Sequence, residues 1–307
     1  MSRRSLAHLA LFTVNLIYGI NYVVAKGLMP VVISPAGFIL LRVMGAGLLF
    51  WLLRLFRPEK VALPDLLRLF LCSLFGVVIN QTMFFEGLMR TSPVNSSIIM
   101  VASPILVLVL SAMLIGERVT WLKILGVVLG AGGAVSLVLL GPEDAGRTSS
   151  RLGDLFILVN AASYALFLVM VKPLMARYSA ITVMAWCFLF GLLVVLPLGL
   201  GDLLAVNWAG ITLPIGMALG FVVVMVTFVA YLLNTWALRV VEPSLVGIYI
   251  YMQPLMAVTL SWAFMRLGAH RLGIPGEYDA TLGVPQMLCA AAIFLGVHLV
   301  GRKQRRP

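Results

Sequence analysis

Long apolar runs recur along the whole chain, separated by charged residues and by proline or glycine. Each run approaches the ~20 apolar residues that a helix needs to cross a bilayer. The runs cover residues 8–25, 36–56, 66–88, 94–115 and 121–140 in the first half, and residues 153–171, 180–200, 211–238, 245–265 and 284–301 in the second. The pattern predicts an all-α integral membrane protein with ten transmembrane helices.

The second half repeats the pattern of the first. Residues 100–118 (MVASPILVLVLSAMLIGER) and residues 251–267 (YMQPLMAVTLSWAFMRL) overlap when the chain is shifted by 150 residues. Matches at this shift, or at the related shift of 146, place Pro93 on Pro243, Pro104 on Pro254, Tyr18 on Tyr164 and Lys26 on Lys172. Chance similarity among apolar helices is the alternative, and two proline matches in one register argue against it.

Each half contains five spans, and because five is odd the two halves must lie upside down relative to each other. Inverted repeats of this kind are typical of secondary transporters, which exchange inward-open and outward-open arrangements. We therefore predict two inverted five-helix repeats, residues 1–141 and residues 153–307, joined by a polar loop at residues 142–152.

The composition agrees with a membrane protein. Hydrophobic residues make up 62% of the chain and charged residues 11%, against ~45–50% and ~25% in a soluble domain. The net charge of +11 does not indicate nucleic-acid binding, because the basic residues lie in short loops and at the two ends, without a basic face or an RNA-binding motif. Fifteen lysines and arginines fall on the side that carries the termini and six on the other, so both termini are expected to be cytoplasmic.

Polar and aromatic side chains recur at helical spacing within the first, third, fourth, sixth, eighth and ninth spans. Polar groups inside a bilayer usually face the protein interior or a water-filled cavity. We predict that these six helices enclose a substrate cavity whose aromatic and amide lining suits an amphipathic organic solute. Hydrogen bonds that only hold helices together are the alternative. The predicted substrate-binding residues are Asn15, Tyr18, Tyr22, Asn80, Glu86, Ser103, Tyr164, Tyr231, Asn234, Tyr249 and Gln253.

Glu86 is the one carboxylate that lies well within an apolar run. It is a candidate for binding a substrate ammonium or for accepting a proton during transport. Pairing with Arg90, one turn further on, is the alternative. Arg42, within the second span, is interpreted as a partner of Glu86 or as a side chain that extends to the interface.

Prolines and glycines within the spans predict local features of the helices. Pro104 and Pro254 each remove a backbone hydrogen bond and predict kinks that suit gating. Small residues four apart permit close helix contacts, and they occur at Gly126 and Gly130 and at Gly216 and Gly220.

No motif of an enzyme is present in the sequence, neither a nucleophile elbow, nor a zinc-protease motif, nor a P-loop. The three cysteines each lie inside an apolar run and form no recognisable metal-binding pattern with histidine. We predict a protein that is not an enzyme, with no cofactor and no metal. Its expected partners are a small-molecule substrate and membrane lipid, with no nucleic acid. We expect a monomer, and proton coupling is left open.

The segments LIYGINYVVAK, SPVNSSIIMVASPILVLVLSAMLIGERVTWLKILGVVLGAGGAV and EPSLVGIYIYMQPLMAVTLSW resemble the EamA family of the drug/metabolite transporter superfamily. The likeness covers nearly the whole chain. It is most specific where the fourth span passes to the fifth, at Pro104, Gly116, Glu117, Arg118, Gly126, Gly132 and Gly133. The chain departs from the family pattern after the ninth span, where Arg266 and Leu267 replace the expected Gly-Glu turn and the loop is longer.

The resemblance implies a carrier of the cytoplasmic (inner) membrane of a bacterium, with a central cavity among the same six spans. It implies a secondary transporter that works by alternating access, with export of aromatic or apolar amino acids as the preferred function. Other metabolites or drugs, such as nucleosides or quaternary amines, are the alternative substrates. An intramembrane enzyme and a solute-binding membrane protein without transport are the alternatives from other functional classes.

Overall fold

The computed structural model describes residues 2–90, 99–139, 150–266 and 284–301, and every regular element in these ranges is helical. The first half contains α1 (Arg3–Leu28), α2 (Pro35–Leu55), α3 (Leu63–Leu88), α4 (Ala102–Ile115) and α5 (Trp121–Leu139). The second half contains α6 (Arg151–Ala176), α7 (Ala180–Leu204), α8 (Leu213–Ala237) and α10 (Val284–Gly301). Between the last two lies α9, made of Pro243–Ile248, a 3-10 turn at Tyr249–Tyr251, and Met252–Arg266. Predicted span residues 94–98 and 140, and most of the predicted connecting loop, fall outside the described residues.

Five of these helices, α2, α3, α6, α7 and α8, are long and apolar enough to cross a membrane, and shorter apolar helices lie within α4, α5 and α10. Large apolar side chains also point away from the protein. Leu48, Met113 and Leu193 are 61%, 75% and 63% exposed. Hydrocarbon is the solvent that tolerates such a surface, and helices satisfy their own backbone hydrogen bonds in it. The part of the chain that the structure describes is an all-helical membrane protein of the multi-pass type.

Serine residues define the beginnings of several helices. Ser34 precedes α2, Ser150 precedes α6 and Ser179 precedes α7, and each side-chain oxygen accepts a hydrogen bond from a backbone N–H in the first turn. These N-caps satisfy donors that a helix start leaves free. At the other end of α4, Gly116 takes the left-handed conformation with φ of 67°, which glycine adopts without strain. Capping serines and a left-handed glycine therefore mark these helix ends.

The principal contacts between helices come in matched sets when first-half and second-half helices are exchanged. The pairs α3·α6, α4·α6 and α3·α7 have the counterparts α8·α1, α9·α1 and α8·α2. The pairs α2·α7, α4·α9 and α5·α10 are their own counterparts. The most extensive contacts between described helices, α5 with α10 and α2 with α7, join helices at corresponding places in the two halves.

Glycines allow α5 and α10 to approach until their backbones touch. A Cβ atom added to Gly126 would lie 2.7 Å from the carbonyl oxygen of Gly296, and one added to Gly296 would lie 2.5 Å from the carbonyl oxygen of Gly126. The predicted close contact at Gly126 is therefore present. The second glycine pair makes none, because a Cβ on Gly216 would meet only Ile211 at 3.7 Å and one on Gly220 would meet nothing within 4 Å.

The helices that contain Pro104 and Pro254 are interrupted at the same place. Helical backbone at residues 99–100 gives way to a turn at Val101, and α4 begins at Ala102. In α9 the 3-10 turn Tyr249–Tyr251 precedes the segment that begins at Met252. Each proline follows two residues after the new start and has no N–H to continue the preceding α-helix. The two interruptions touch, since the Tyr251 hydroxyl donates to the Val101 carbonyl at 3.2 Å.

Candidate functional site

A cavity lies between the two halves of the molecule. Its volume is about 100 Å³, which is room for several water molecules. Both halves contribute to its wall, through α1, α2 and α3, the residues before α4, and α6, α8 and α9. The lining residues are Tyr18, Asn21, Arg42, Asn80, Gln81, Phe84, Phe85, Met100, Asn160, Tyr164, Val226, Tyr231, Ile250 and Gln253.

Two π-helical segments place polar groups beside this cavity. They cover Leu74–Ile79 within α3 and Val222–Val229 within α8, and they overlap when the chain is shifted by 150 residues. Such wide turns are rare and frequently occur at functional sites. The first is followed directly by Asn80 and Gln81, and the second is followed by Tyr231.

Side chains from the second half bind the backbone of the first π segment and of the residue after it. The Tyr231 hydroxyl donates to the Gly76 carbonyl at 3.0 Å, and the Ser163 hydroxyl donates to the Phe75 carbonyl at 2.6 Å. The Asn160 amide donates to the Asn80 carbonyl at 2.7 Å. These hydrogen bonds join α3 to α6 and α8 beside the cavity and hold Asn80 and Gln81 in place.

Arg42 is the charged residue of the described cavity wall. Its side chain is buried, with its guanidinium carbon 5.5 Å from the ring centre of Phe38 and 5.2 Å from that of Phe85. Its Nε donates to the Thr227 hydroxyl at 2.9 Å, and that hydroxyl donates to the Val222 carbonyl at 2.8 Å. A charged arginine at the centre of a membrane helix costs about 2.5–3.5 kcal/mol or more. No carboxylate of the described residues pairs with Arg42 to offset this cost.

Several amide atoms at the cavity have no hydrogen-bond partner among the residues that the structure describes. They are both amide atoms of Gln81, Oδ1 of Asn21 and Oδ1 of Asn160. The side chain of Gln81 is almost fully buried, with 3% of the residue exposed. A buried polar group without a partner costs about 1–3 kcal/mol. Such groups are typical of a site that water or a ligand completes.

Five of the eleven predicted substrate-binding residues line the cavity, namely Tyr18, Asn80, Tyr164, Tyr231 and Gln253. Asn234 lies behind the wall, where its amide donates to the Tyr164 hydroxyl at 2.6 Å. It therefore orients a lining residue and is not itself part of the described lining. Tyr22 belongs to α1, but its side chain is outside the described residues.

The structure places four other predicted residues away from the cavity. Asn15 is buried in α1 about one turn before Tyr18, and its side-chain amide donates to the Leu11 carbonyl at 2.7 Å. Ser103 is fully buried within α4. The Tyr249 hydroxyl lies 2.8 Å from Nδ1 of His8. Each position has helical spacing from a lining residue, but it lies further along the helix axis or across one of the interruptions at Val101 and Tyr249–Tyr251.

Glu86 is the fourth of these residues. It forms an ion pair with Arg90 one turn on, and the two side chains are 32% and 42% exposed. Arg42 does not pair with it, because the only hydrogen bond of Arg42 to a described residue goes to Thr227. The sequence interpretation of Arg42 as a partner of Glu86, or as a side chain that extends to the interface, is therefore wrong.

Some lining residues were not predicted from the sequence. Asn21 lies three residues after Tyr18, and Phe84 and Phe85 lie three and four residues after Gln81, so helical spacing was a usable signal for them. Gln81, Met100 and Asn160 belong to the polar stripes of the third, fourth and sixth spans, so the same signal marks them. Arg42 had no such signal, because the second span carries no polar stripe. Val226 and Ile250 are ordinary apolar residues in sequence.

At the end of the bundle where α2 and α6 end, hydrogen bonds between polar side chains connect the two halves, a connection here called a tie. Oε2 of Glu59 accepts hydrogen bonds from the backbone and the hydroxyl of Ser179, both at 3.0 Å. Partial burial acts to raise the pKa of Glu59, but hydrogen bonds from Thr182 and Ser179 outweigh it and hold this pKa below its ordinary value. Asp65 accepts from the Tyr178 hydroxyl at 2.7 Å and from Arg177 at 3.0 Å.

A second tie involves the Gly-Glu-Arg turn after α4. Glu117 is buried, and its carboxylate accepts hydrogen bonds from the hydroxyl and the backbone N–H of Ser244, at the start of α9. Lys123 lies 2.5 Å from Oε1 of the same carboxylate. The most specific part of the sequence resemblance is therefore a contact between the two halves.

Comparison with known proteins identifies the family. The model of the EamA-like transporter family matches residues 5–139 and again residues 151–270. The uncharacterized transporter YetK of Bacillus subtilis is 26% identical over 244 residues, which are 79% of this chain and 70% of that protein. An uncharacterized transporter of Archaeoglobus fulgidus is 25% identical over 272 residues, which are 89% of this chain and 90% of that protein.

A probable terminal-alkyne amino-acid exporter of Streptantibioticus cattleyicolor is 27% identical over 142 residues, 46% of each chain. A solved crystal structure superposes with a TM-score of 0.75 at 19% identity, covering 97% of this chain and 96% of that one. That likeness concerns the fold. The resemblance read from the sequence is confirmed, since the family model matches well over half of the residues: the chain belongs to the EamA-like transporter family.

Proposed function

We propose that this protein is a secondary transporter that moves small organic metabolites by alternating access, with export of aromatic or apolar amino acids as its preferred function. The observation that carries the proposal is the cavity at the contact between the halves, lined by both of them. A site in this position can be exposed to either side when one half moves against the other. The family membership supports transport as the general activity.

Ten membrane spans in two inverted repeats are part of this proposal. The matched helix contacts, the two π segments and the two interruptions before proline support a relation between the halves. The separate matches of the family model to residues 5–139 and 151–270 support it as well. We propose that residues 1–141 and 153–307 are the repeats, that both termini are cytoplasmic in a bacterial inner membrane, and that the carrier is monomeric.

The chemistry of the cavity supports an amphipathic solute. Aromatic rings of Tyr18, Phe84 and Tyr164 offer flat apolar surface, and amides of Asn80 and Gln81 offer hydrogen bonds beside it. Glu86 pairs with Arg90 away from this wall, which favours a carrier driven by the substrate gradient over one coupled to protons through Glu86. Catalysis finds no support in the described wall, which contains no carboxylate, histidine or cysteine.

The test is counterflow in proteoliposomes with the twenty amino acids, each radiolabelled, against unlabelled excess. We expect uptake of an aromatic or apolar subset. Phe84→Ala should raise KM several-fold for the aromatic members, since aromatic contacts contribute about 0.5–1.5 kcal/mol beyond buried area. Phe12→Ala is the matched control, because Phe12 lies on the exposed face of α1.

Counterflow of nucleosides or quaternary amines, without any amino acid, would replace the preferred substrate and leave the transporter standing. No counterflow with any of these compounds would refute the proposed transport of amino acids, nucleosides and quaternary amines. Equal effects of Phe84→Ala and Phe12→Ala would show that the cavity does not bind the transported solute.

A further inference from the structure

Arg42 is a permanent charge at the cavity, and no carboxylate of the described residues lies in an ion pair with it. Ion pairs in the described part of the chain join Arg90 to Glu86, Lys123 to Glu117 and Arg177 to Asp65. None of them involves Arg42. Charged residues within membrane helices usually have a partner or mark the path of a substrate. Arg42 therefore requires an explanation that the helix packing does not supply.

The surroundings of Arg42 hold the guanidinium without neutralising it. The rings of Phe38 and Phe85 lie at 5.5 and 5.2 Å and lie edge to face with each other, with centres 5.3 Å apart. Thr227 binds only Nε, and its hydroxyl proton is already used on the Val222 carbonyl. The hydrogen bond to Thr227 holds the guanidinium group at its Nε atom. Its two terminal nitrogens make no hydrogen bond to any described residue.

The helix packing is adapted to this placement. Gly45 lies one turn after Arg42, and a Cβ atom there would be 2.5 Å from a methyl group of Val223. The absence of a side chain lets α2 approach the π segment of α8, which contains both Val223 and Thr227. Arg42 thus reaches Thr227 because two unusual local features, a glycine and a π turn, occur opposite each other.

Gln81 supplies a second, independent observation. It lines the same cavity, it is 3% exposed, and its amide makes no well-formed hydrogen bond to a described residue. Its polar neighbour is the Tyr231 hydroxyl, whose proton is already donated to the Gly76 carbonyl. Asn21 and Asn160 present amide oxygens without partners at the same wall. A guanidinium binds a carboxylate through two parallel N–H donors. Amide oxygens can in turn accept hydrogen bonds from an ammonium group.

We propose that Arg42 binds the carboxylate of the transported solute, with the Gln81 amide beside it, so that the cargo is an organic carboxylate without net positive charge. The assignment rests on the proposed transport function. It favours zwitterionic amino acids and simple organic acids. It disfavours quaternary amines, because the described wall offers a positive charge and no negative one.

The experiment measures binding and flux separately on the full-length purified protein. Binding is read as the shift in thermal unfolding midpoint with the twenty amino acids, benzoate and phenylacetate, each compared with its neutral or cationic amide. We expect midpoint shifts with a subset of the acids and none with their amides. In Arg42→Gln the apparent affinity for those acids should fall at least tenfold. Arg42→Lys should fall between the two, since it keeps the charge but not the paired donors.

Arg54→Gln is the matched control. Arg54 also lies in α2 and over two rings, those of Trp51 and Trp186, at 4.7 and 5.5 Å, but it does not line the described cavity. This variant should keep the preference for acids. Arg42→Gln should fold, because it removes a buried charge that has no carboxylate partner among the described residues.

Amides that bind as well as their acids, an unchanged preference in Arg42→Gln, or a wild-type protein that responds to no acid would each overturn the assignment. Counterflow in proteoliposomes separates this result from the proposed function. Binding that depends on Arg42 without any counterflow would refute transport and leave the carboxylate site standing. Counterflow of cationic amides or quaternary amines would refute the site and leave transport standing.

Discussion

Replacing Gly296 by alanine tests whether the contact between α5 and α10 depends on backbone approach. The added Cβ atom would lie 2.5 Å from the Gly126 carbonyl oxygen, 2.9 Å from the Gly130 nitrogen and 3.1 Å from the Gly130 Cα. All three are backbone atoms of α5, so no side chain can rotate to make room. The shortest distance is about 0.9 Å below the 3.4 Å at which ordinary contact begins.

The two helices must therefore separate locally by several tenths of an ångström. A gap of 0.5–1 Å loses about a quarter to a half of each van der Waals contact, and overpacking of a close interface costs about 1–3 kcal/mol. We expect Gly296→Ala to lower the unfolding midpoint of the detergent-solubilised protein by several degrees, because about 1 kcal/mol corresponds to a few degrees in a chain of a few hundred residues. Tryptophan fluorescence during a thermal ramp measures this midpoint.

Gly132→Ala is the matched control. Gly132 lies in α5, and a Cβ atom there would meet nothing within 4 Å. Alanine at such a helix position should be neutral or stabilise the protein by about 0.5–1 kcal/mol. If Gly296→Ala and Gly132→Ala unfold at the same temperature, the backbone contact between α5 and α10 does not contribute to stability and the argument from geometry fails.

Two further predictions concern the ties between the halves. Glu59→Gln should lower the unfolding midpoint at pH 7. A carboxyl group whose pKa is depressed by folding stabilises the fold above its ordinary pKa and loses that contribution as the pH falls through the folded pKa. The difference in unfolding midpoint between Glu59→Gln and wild type should therefore shrink in acid. A difference that stays constant with pH would contradict the stabilising role of the Glu59 carboxylate. Ser244→Ala should lower the free energy of unfolding by about 1.5–3 kcal/mol, because it removes a donor to the buried Glu117 carboxylate. The control Ser111→Ala should lower it less, since the buried Ser111 hydroxyl has no partner among the described residues. Equal unfolding midpoints of the two variants in the same thermal ramp would contradict a stabilising bond between Ser244 and Glu117.

The periodic features of the sequence predicted much of the cavity. Tyr18, Tyr164, Tyr231 and Asn80 belong to polar stripes at helical spacing, and all four line the wall. A stripe identifies the polar side of a helix but not which stretch of that side borders the cavity. Asn15 lies three positions before Tyr18, about 4.5 Å further along the axis of α1, and is outside the wall. Tyr249 lies in the 3-10 turn of α9, whose three residues per turn break its α-helical spacing from Gln253.

The sequence by itself determined the solvent and predicted a repeat. Long apolar runs allow only a bilayer environment, and proline matches at one shift predicted related halves, because both signals are local and periodic. Only the tertiary structure decided the role of Arg42. Its neighbours Phe38, Phe85 and Thr227 come from three helices, and the π turn that presents Thr227 has no signature in the residue pattern. Whether a buried charge is paired depends on which distant side chains surround it, and that information exists only once the helices have packed.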